Sequence, residues 1–156
     1  MRVKISVNKF AYSGYYNIDP DPVIIDGVDT TPSSIRDLDQ LDDRECDEIV
    51  LDECLCYIPH AELGNYIDRV LKKLKKGGKL IILDKDVRSL SYDYYSGLVD
   101  EMYYNNVLFG NQNRPSTFKT SCLSLKVIKE HLSEICKISK ILNQENYNFL
   151  LEVVNE

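Results

Sequence analysis

The 156-residue sequence lacks any apolar run of membrane-spanning length; runs such as LIIL and FLLEVV are strand-sized, against the roughly 20 residues a spanning helix needs. Histidine is scarce, with only His60 and His131, and a zinc set cannot be assembled convincingly from them. The cysteines, Cys46, Cys54, Cys56, Cys122 and Cys136, are odd in number and contain a CxC but no CxxC. That spacing excludes a disulfide framework and a paired redox motif. The thiols are expected to be reduced and mostly small core residues. A signal-peptide layout is lacking at the start of the sequence, so the cytoplasm is the default expectation. Positive charge is also short, 19 basic against 25 acidic residues and a net charge of −6, which argues against a nucleic-acid backbone as the main partner. The one basic cluster, KKLKKGGK, falls at the end of an expected helix, where lysines complement the helix dipole.

What is present is ordinary for one globular domain, taken here as residues 1–156, able to bury a core without staples. Strand-like and helix-like segments alternate, the pattern of an α/β domain with a mostly parallel sheet. RVKISV reads as the first strand, YYNID as the second, ending at Asp19, and VIID as the third, ending at Asp26. The acidic stretch from Thr30 to Cys46 allows a short helix or turn and reads as a solvated face. DEIVLDECL is a strand running into a loop. An amphipathic helix is expected over 61–76, with Leu63, Ile67, Val70, Leu71 and Leu74 on one stripe and Gly77–Gly78 ending it. KLIILD follows as a strand buried on both faces, so that Leu71, Leu74 and Ile81 are expected in the core. The tyrosine-rich segment 91–106 has helical spacing, and 109–120 reads as a loop. Ser124 is placed to cap a last helix. Two terminal strands, KISKIL and NFLLEVV, complete the domain, the last antiparallel to its neighbours.

In this order, GYYNIDP, CDEIVLDECLCYIP, VLKKLKKGGKLIILDKD and LFGNQ…FKTSCLSLKVIKEHL together resemble the small class I S-adenosylmethionine-dependent methyltransferases over nearly the whole chain. LCYI stands where that family carries a phrase like LEHI, and LKKGG where it carries LKPGG. The resemblance implies a Rossmann-like methyltransferase fold with S-adenosylmethionine across the carboxyl ends of the strands. It places Asp19 at the ribose hydroxyls, which a carboxylate suits because it accepts two hydrogen bonds. It places Asp26 near the adenine and Asn8 in the loop after the first strand. Asp52 and Glu53 fall where the fourth strand opens toward the methyl-transfer face. Each of these aspartates also has a plain reading as a turn or cap residue.

Two departures stand out. The family's Gly-rich loop is replaced by Asn8, Lys9 and Phe10, where glycine would let the backbone approach the cofactor. The first two strands are also too close in sequence for a full helix between them, so a reduced helix complement is expected. Two functions follow. One is a methyltransferase acting on an unidentified acceptor, with Asp52, Glu53 or Asp84 as candidate bases. The other is a methyltransferase-like module without catalysis that binds a protein partner, since function resides in the site and not the fold. A third reading, a different nucleotide binder, has no phosphate-cradling loop to support it.

Overall fold

The computed structural model describes residues 1–110 and 118–156. Seven strands form one sheet: β1 (Arg2–Ser6), β2 (Tyr16–Asp19), β3 (Thr30–Pro32), β4 (Cys46–Asp52), β5 (Leu74–Lys85), β6 (Lys137–Asn143) and β7 (Asn148–Val154). Their spatial order is β3-β2-β1-β4-β5-β7-β6. The first five run parallel, and β7 is antiparallel to both β5 and β6. Four helices are described: α1 (Leu63–Lys73), α2 (Val87–Tyr95), α3 (Glu101–Phe109) and α4 (Leu125–Ser133). None of the described helices is long and apolar enough to cross a membrane.

The strand alternation decides what each face of the sheet carries. Val3, Ile49, Leu80 and Val153 stand in one cross-strand row, and Ile5, Leu51, Ile82 and Leu151 in the next. All eight are fully buried and share one core with α1 residues Tyr66, Ile67 and Val70 and α4 residues Ile128 and Leu132. The opposite face carries Lys4, Val50, Ile81 and Glu152, then Ser6, Asp52, Leu83 and Leu150. Over β1 that polar face is covered by the loop after it: the Arg2 guanidinium lies over the Tyr15 ring and the Lys4 ammonium over the Tyr12 ring. The segment from Val7 to Tyr15 contains no helix, in line with the short spacing.

Several boundaries differ from the sequence reading. VIID is not a strand; residues 23–26 lie in an exposed connection, and the third strand forms later, at Thr30–Pro32. The first helix ends at Lys73 rather than 76. Leu74 already pairs with Cys46, and the register then shifts across the Gly77–Gly78 turn. Gly78 is needed there: a Cβ would meet the Lys75 carbonyl oxygen at 2.9 Å. The Asn155 side chain donates to the Leu71, Leu74 and Lys75 carbonyls, satisfying the chain at this early stop. Lys73 pairs with Asp43 of the acidic stretch and Lys75 with Asp47 of β4, at 2.8 Å each. Ile81 is half-buried, because its face of β5 has thinner cover than the Leu80–Ile82 face.

The tyrosine-rich segment forms two helices, not one. The break falls at Gly97, with φ +73°, and Asp100 caps α3 through the Tyr103 N–H. Tyr94 and Tyr104 stack across the break with ring centroids 4.2 Å apart. Ser124 makes no side-chain cap; Asp86 accepts from the Leu125 N–H at 3.2 Å and also caps α2. Of the loop expected over 109–120, residues 111–117 lie outside the described residues. Cys46, Cys54 and Cys56 are buried and Cys122 is exposed; all five thiols are free.

Candidate functional site

Parallel strands deliver their carboxyl ends to one edge of the sheet, where ligands of such folds bind. Here that edge is formed by Ser6, Asp19, Asp52 and Asp84 at the ends of β1, β2, β4 and β5. The fold brings Asn8, Asp19, Asp52 and Glu53 to it. Asp26 stays in the exposed connection before β3, away from the strand end the sequence reading gave it.

The surprise at this edge is Lys4. It sits mid-strand in β1 and is fully buried. A buried ammonium costs several kcal/mol in desolvation unless each of its three donors is answered. All three are. Nζ pairs with Asp52 Oδ2 at 3.0 Å, donates to Asn8 Oδ1 at 3.2 Å, and donates to the Phe10 carbonyl. The Tyr12 ring lies over the ammonium at 4.3 Å, a favourable cation–π placement. The Tyr12 hydroxyl reaches toward Asp52 at 3.5 Å. Burial, and then the Asp52 charge, push the Tyr12 phenol pKa up. Asn17, also buried, holds the loop in place by donating to the Tyr12, Tyr15 and Asp29 carbonyls and accepting from the Tyr12 N–H.

Asp19 is equally engaged. Its Oδ2 accepts from Ser6 Oγ at 3.2 Å and from the Lys9 N–H at 3.0 Å, and its Oδ1 accepts from the Asp21 N–H at 2.9 Å. The residue is only 3% exposed. Lys9 takes the left-handed conformation, φ +66°, at a position where glycine would be unstrained. Its side chain turns to Asp21 at 2.5 Å, and Phe10 is 73% exposed. Neither side chain plugs the edge; the plug is Lys4 with Tyr12. Glu53 is half-buried, also left-handed at φ +51°, and its N–H donates to the Leu83 carbonyl.

Asp84 differs from these. It is 4% exposed; Oδ1 accepts from the Lys85 N–H at 2.9 Å, and Oδ2 has no hydrogen-bond partner. Burial dominates its environment and pushes its pKa up to about 7, against the Lys85 N–H and the Lys119 charge. A small cavity of about 10 Å³ adjoins it, lined in part by Cys56, Lys119, Ser121 and Cys122. Burial pushes the neighbouring Cys54 and Cys56 thiols well up, so they are neutral and weak nucleophiles. Among the described residues no group of three or more His, Cys, Asp and Glu could hold a metal ion.

Lys4 and Tyr12 were missed from the sequence. The signal was there: Arg2 and Lys4 alternate with Val3 and Ile5 in a strand next to the sheet centre, where both faces should be apolar.

No family model matches the sequence, and no curated protein matches it. Solved structures do match. The PH0226 protein of Pyrococcus horikoshii superposes with a TM-score of 0.68 at 14% identity, over 99% of this chain and 82% of that one. A putative S-adenosylmethionine-dependent methyltransferase of Listeria monocytogenes gives 0.67 at 11%, over 99% and 90%. A putative methyltransferase solved with the Haloferax volcanii Trm112 methyltransferase activator gives 0.62 at 11%, over 98% and 81%.

Proposed function

From the class I S-adenosylmethionine-dependent methyltransferase fold, which this chain shares, we propose that the protein is a methyltransferase-like module without catalysis, serving as a binding or structural partner of another protein. One observation carries this reading: the cofactor edge is filled by the chain itself, with Lys4 buried against Asp52, Asn8 and Tyr12. The residues do not fit S-adenosylmethionine. The sulfonium cofactor would meet a fixed ammonium at the end of β1. Asp19, assigned to the ribose, has both oxygens engaged by its own strand and loop. Asp52 and Asn8 are held by Lys4, and Asp26 lies elsewhere. Opening the edge would separate a buried ion pair and undo the hydrogen bonds that satisfy the Lys4 ammonium, a cost the cofactor's binding would have to offset.

A methyltransferase fold found with an activator protein makes a protein partner a natural role for this scaffold. The exposed side chains of Tyr92, Tyr95, Leu98 and Met102, all more than 70% exposed, suit such contacts.

A second reading, an active methyltransferase, has one observation in its favour. Asp84 combines burial with a pKa near neutrality, as a general base requires. Calorimetric titration with S-adenosylmethionine and S-adenosylhomocysteine separates the two. The expected result is no heat and no thermal shift at millimolar ligand. Micromolar binding abolished by Asp19→Ala would overturn the first reading and favour the second.

A further inference from the structure

Asp84 has a roof. Residues 119–123 cross above it and are pinned by backbone bonds: the Thr120 and Ser121 N–H groups donate to the Cys56 carbonyl at 2.8 and 3.0 Å, and the Leu123 carbonyl accepts from Val87 at 2.9 Å. The end of α3 supplies the rest, with Val107 and Leu108 lining the cavity. Lys119 Nζ donates to the Val107 carbonyl at 2.9 Å, which ties the strap to that helix. Leu123 anchors the strap in the core, but the α3 half of this roof is lightly attached. No residue of α3 is buried, and besides Lys119 it is held to α2 by the Tyr94–Tyr104 stack and the Ser91–Tyr104 hydroxyl contact at 3.1 Å. Few buried contacts mark a segment that opens before the rest of the fold.

Beneath it lies a buried carboxyl with an orphaned oxygen. When ionised, that oxygen has no hydrogen-bond partner in the closed site, and the Lys119 charge and the Leu55 N–H offset only part of the burial penalty; when protonated, the carboxyl is neutral and that penalty falls away. Opening the roof would let water answer the carboxylate. We propose that residues 119–123 and the end of α3 form a proton-latched cover, closed over neutral Asp84 and released when Asp84 ionises.

The surrounding groups leave Asp84 as the titrating latch. From β5, Lys85 offers its N–H, while its side chain turns to the Asn146 carbonyl and Asn148. From the strap, Lys119 bonds the Val107 carbonyl while its charge works against protonation of Asp84, though less than burial works for it, and the Cys122 thiol is raised by burial. From the end of β4 and the turn after it come Glu53, whose negative charge reinforces protonation of Asp84, and Cys54, Cys56 and Tyr57, all raised by burial. Those thiols and the phenol stay neutral through the range in question.

The direction of the linkage is fixed. The closed form holds the Asp84 proton up to about pH 7, whereas an exposed aspartate releases it near pH 4. Opening therefore becomes easier as pH rises from about 4 to about 7, by at most about tenfold per unit, and levels off above. Amide hydrogen exchange of the full chain between pH 5 and 8, corrected for intrinsic rates, reads this directly. Protection of the Thr120 and Ser121 amides is expected to fall across pH 5–7 in the native protein and to stay level in Asp84→Asn. A flat native profile, or the same slope in the variant, would overturn the proposal. If Asp84→Asn does not fold, carboxyl carbon-13 titration of the native protein decides. A midpoint near pH 4, or a raised midpoint with no accompanying shift of the Thr120 and Ser121 amides, overturns it; a raised midpoint tracked by those amides supports it.

Discussion

Asp52 and Asp84 end neighbouring strands, β4 and β5, and both are buried. Asp52 is met by an ammonium from the next strand, and with it the end of β1 is closed and fully hydrogen-bonded. Asp84 has one oxygen held by the Lys85 N–H and the other without a hydrogen-bond partner, under a roof whose α3 half has no buried residue. The same residue type at adjacent strand ends thus gives a rigid plug in one place and a proton-holding cavity in the other. What decides is whether the sequence supplies a counter-charge on the register row. Lys4 and Val50 precede Ser6 and Asp52 on the polar face, whereas Asp84 shares the face of Leu80 and Ile82 and has no cation on its row.

The sharpest way to break this contrast is to remove the counter-charge. Lys4→Met leaves Asp52 buried and unpaired and is expected to cost about 3–5 kcal/mol, read from urea unfolding. Lys4→Met with Asp52→Leu should cost clearly less than Lys4→Met alone; an equal or larger loss would show that the pair is not the unit. Next in size is Asp19→Ala, which strands the Lys9 and Asp21 N–H groups and is expected to lose about 1.5–3 kcal/mol. On the other side of the contrast, Asp84→Asn should stabilise the protein by about 1–3 kcal/mol at pH 8. A carboxyl raised in the folded state holds its stabilising proton at low pH and loses that advantage as pH climbs through about 7. The gain should therefore shrink toward zero near pH 4. Parallel urea midpoints for wild type and Asp84→Asn at both pH values would refute an unpaired Asp84. Smallest is Tyr95→Ser on the 86% exposed ring: its unfolding free energy should stay within about 0.5 kcal/mol of wild type, while binding to a protein partner should weaken.

Much of the fold was legible because its signals are local. Alternation marked β1, an apolar stripe marked α1, and the apolar run KLIILD marked the latter part of β5. The errors came from tertiary choices. VIID has strand composition, but Asn17 donates both its backbone N–H and its side-chain amide to the Asp29 carbonyl, which draws β3 to Thr30. Helix α1 stops early because Leu74 is captured by Cys46 and the freed carbonyls by Asn155, more than 80 residues away. At the candidate site, the acidic residues were visible one by one, and Asn8, Asp19, Asp52 and Glu53 do gather at one edge. Their partners were not visible. Whether Asp19 faces a ligand or its own loop depends on a left-handed Lys9, a conformation that sequence disfavours and the surrounding bonds impose. The lysine in β1 was the clue that one sheet face is polar and covered by a loop.

The strand order has a consequence for biosynthesis. β7 lies between β5 and β6 and is made last of the three. Until Asn148–Val154 leaves the ribosome, β5 presents an unpaired edge and β6 has no place in the sheet. A nascent chain halted before that point exposes the Leu80–Leu83 run along an open edge, a template for association with other chains. Closure of this half of the sheet therefore waits on the emergence of β7.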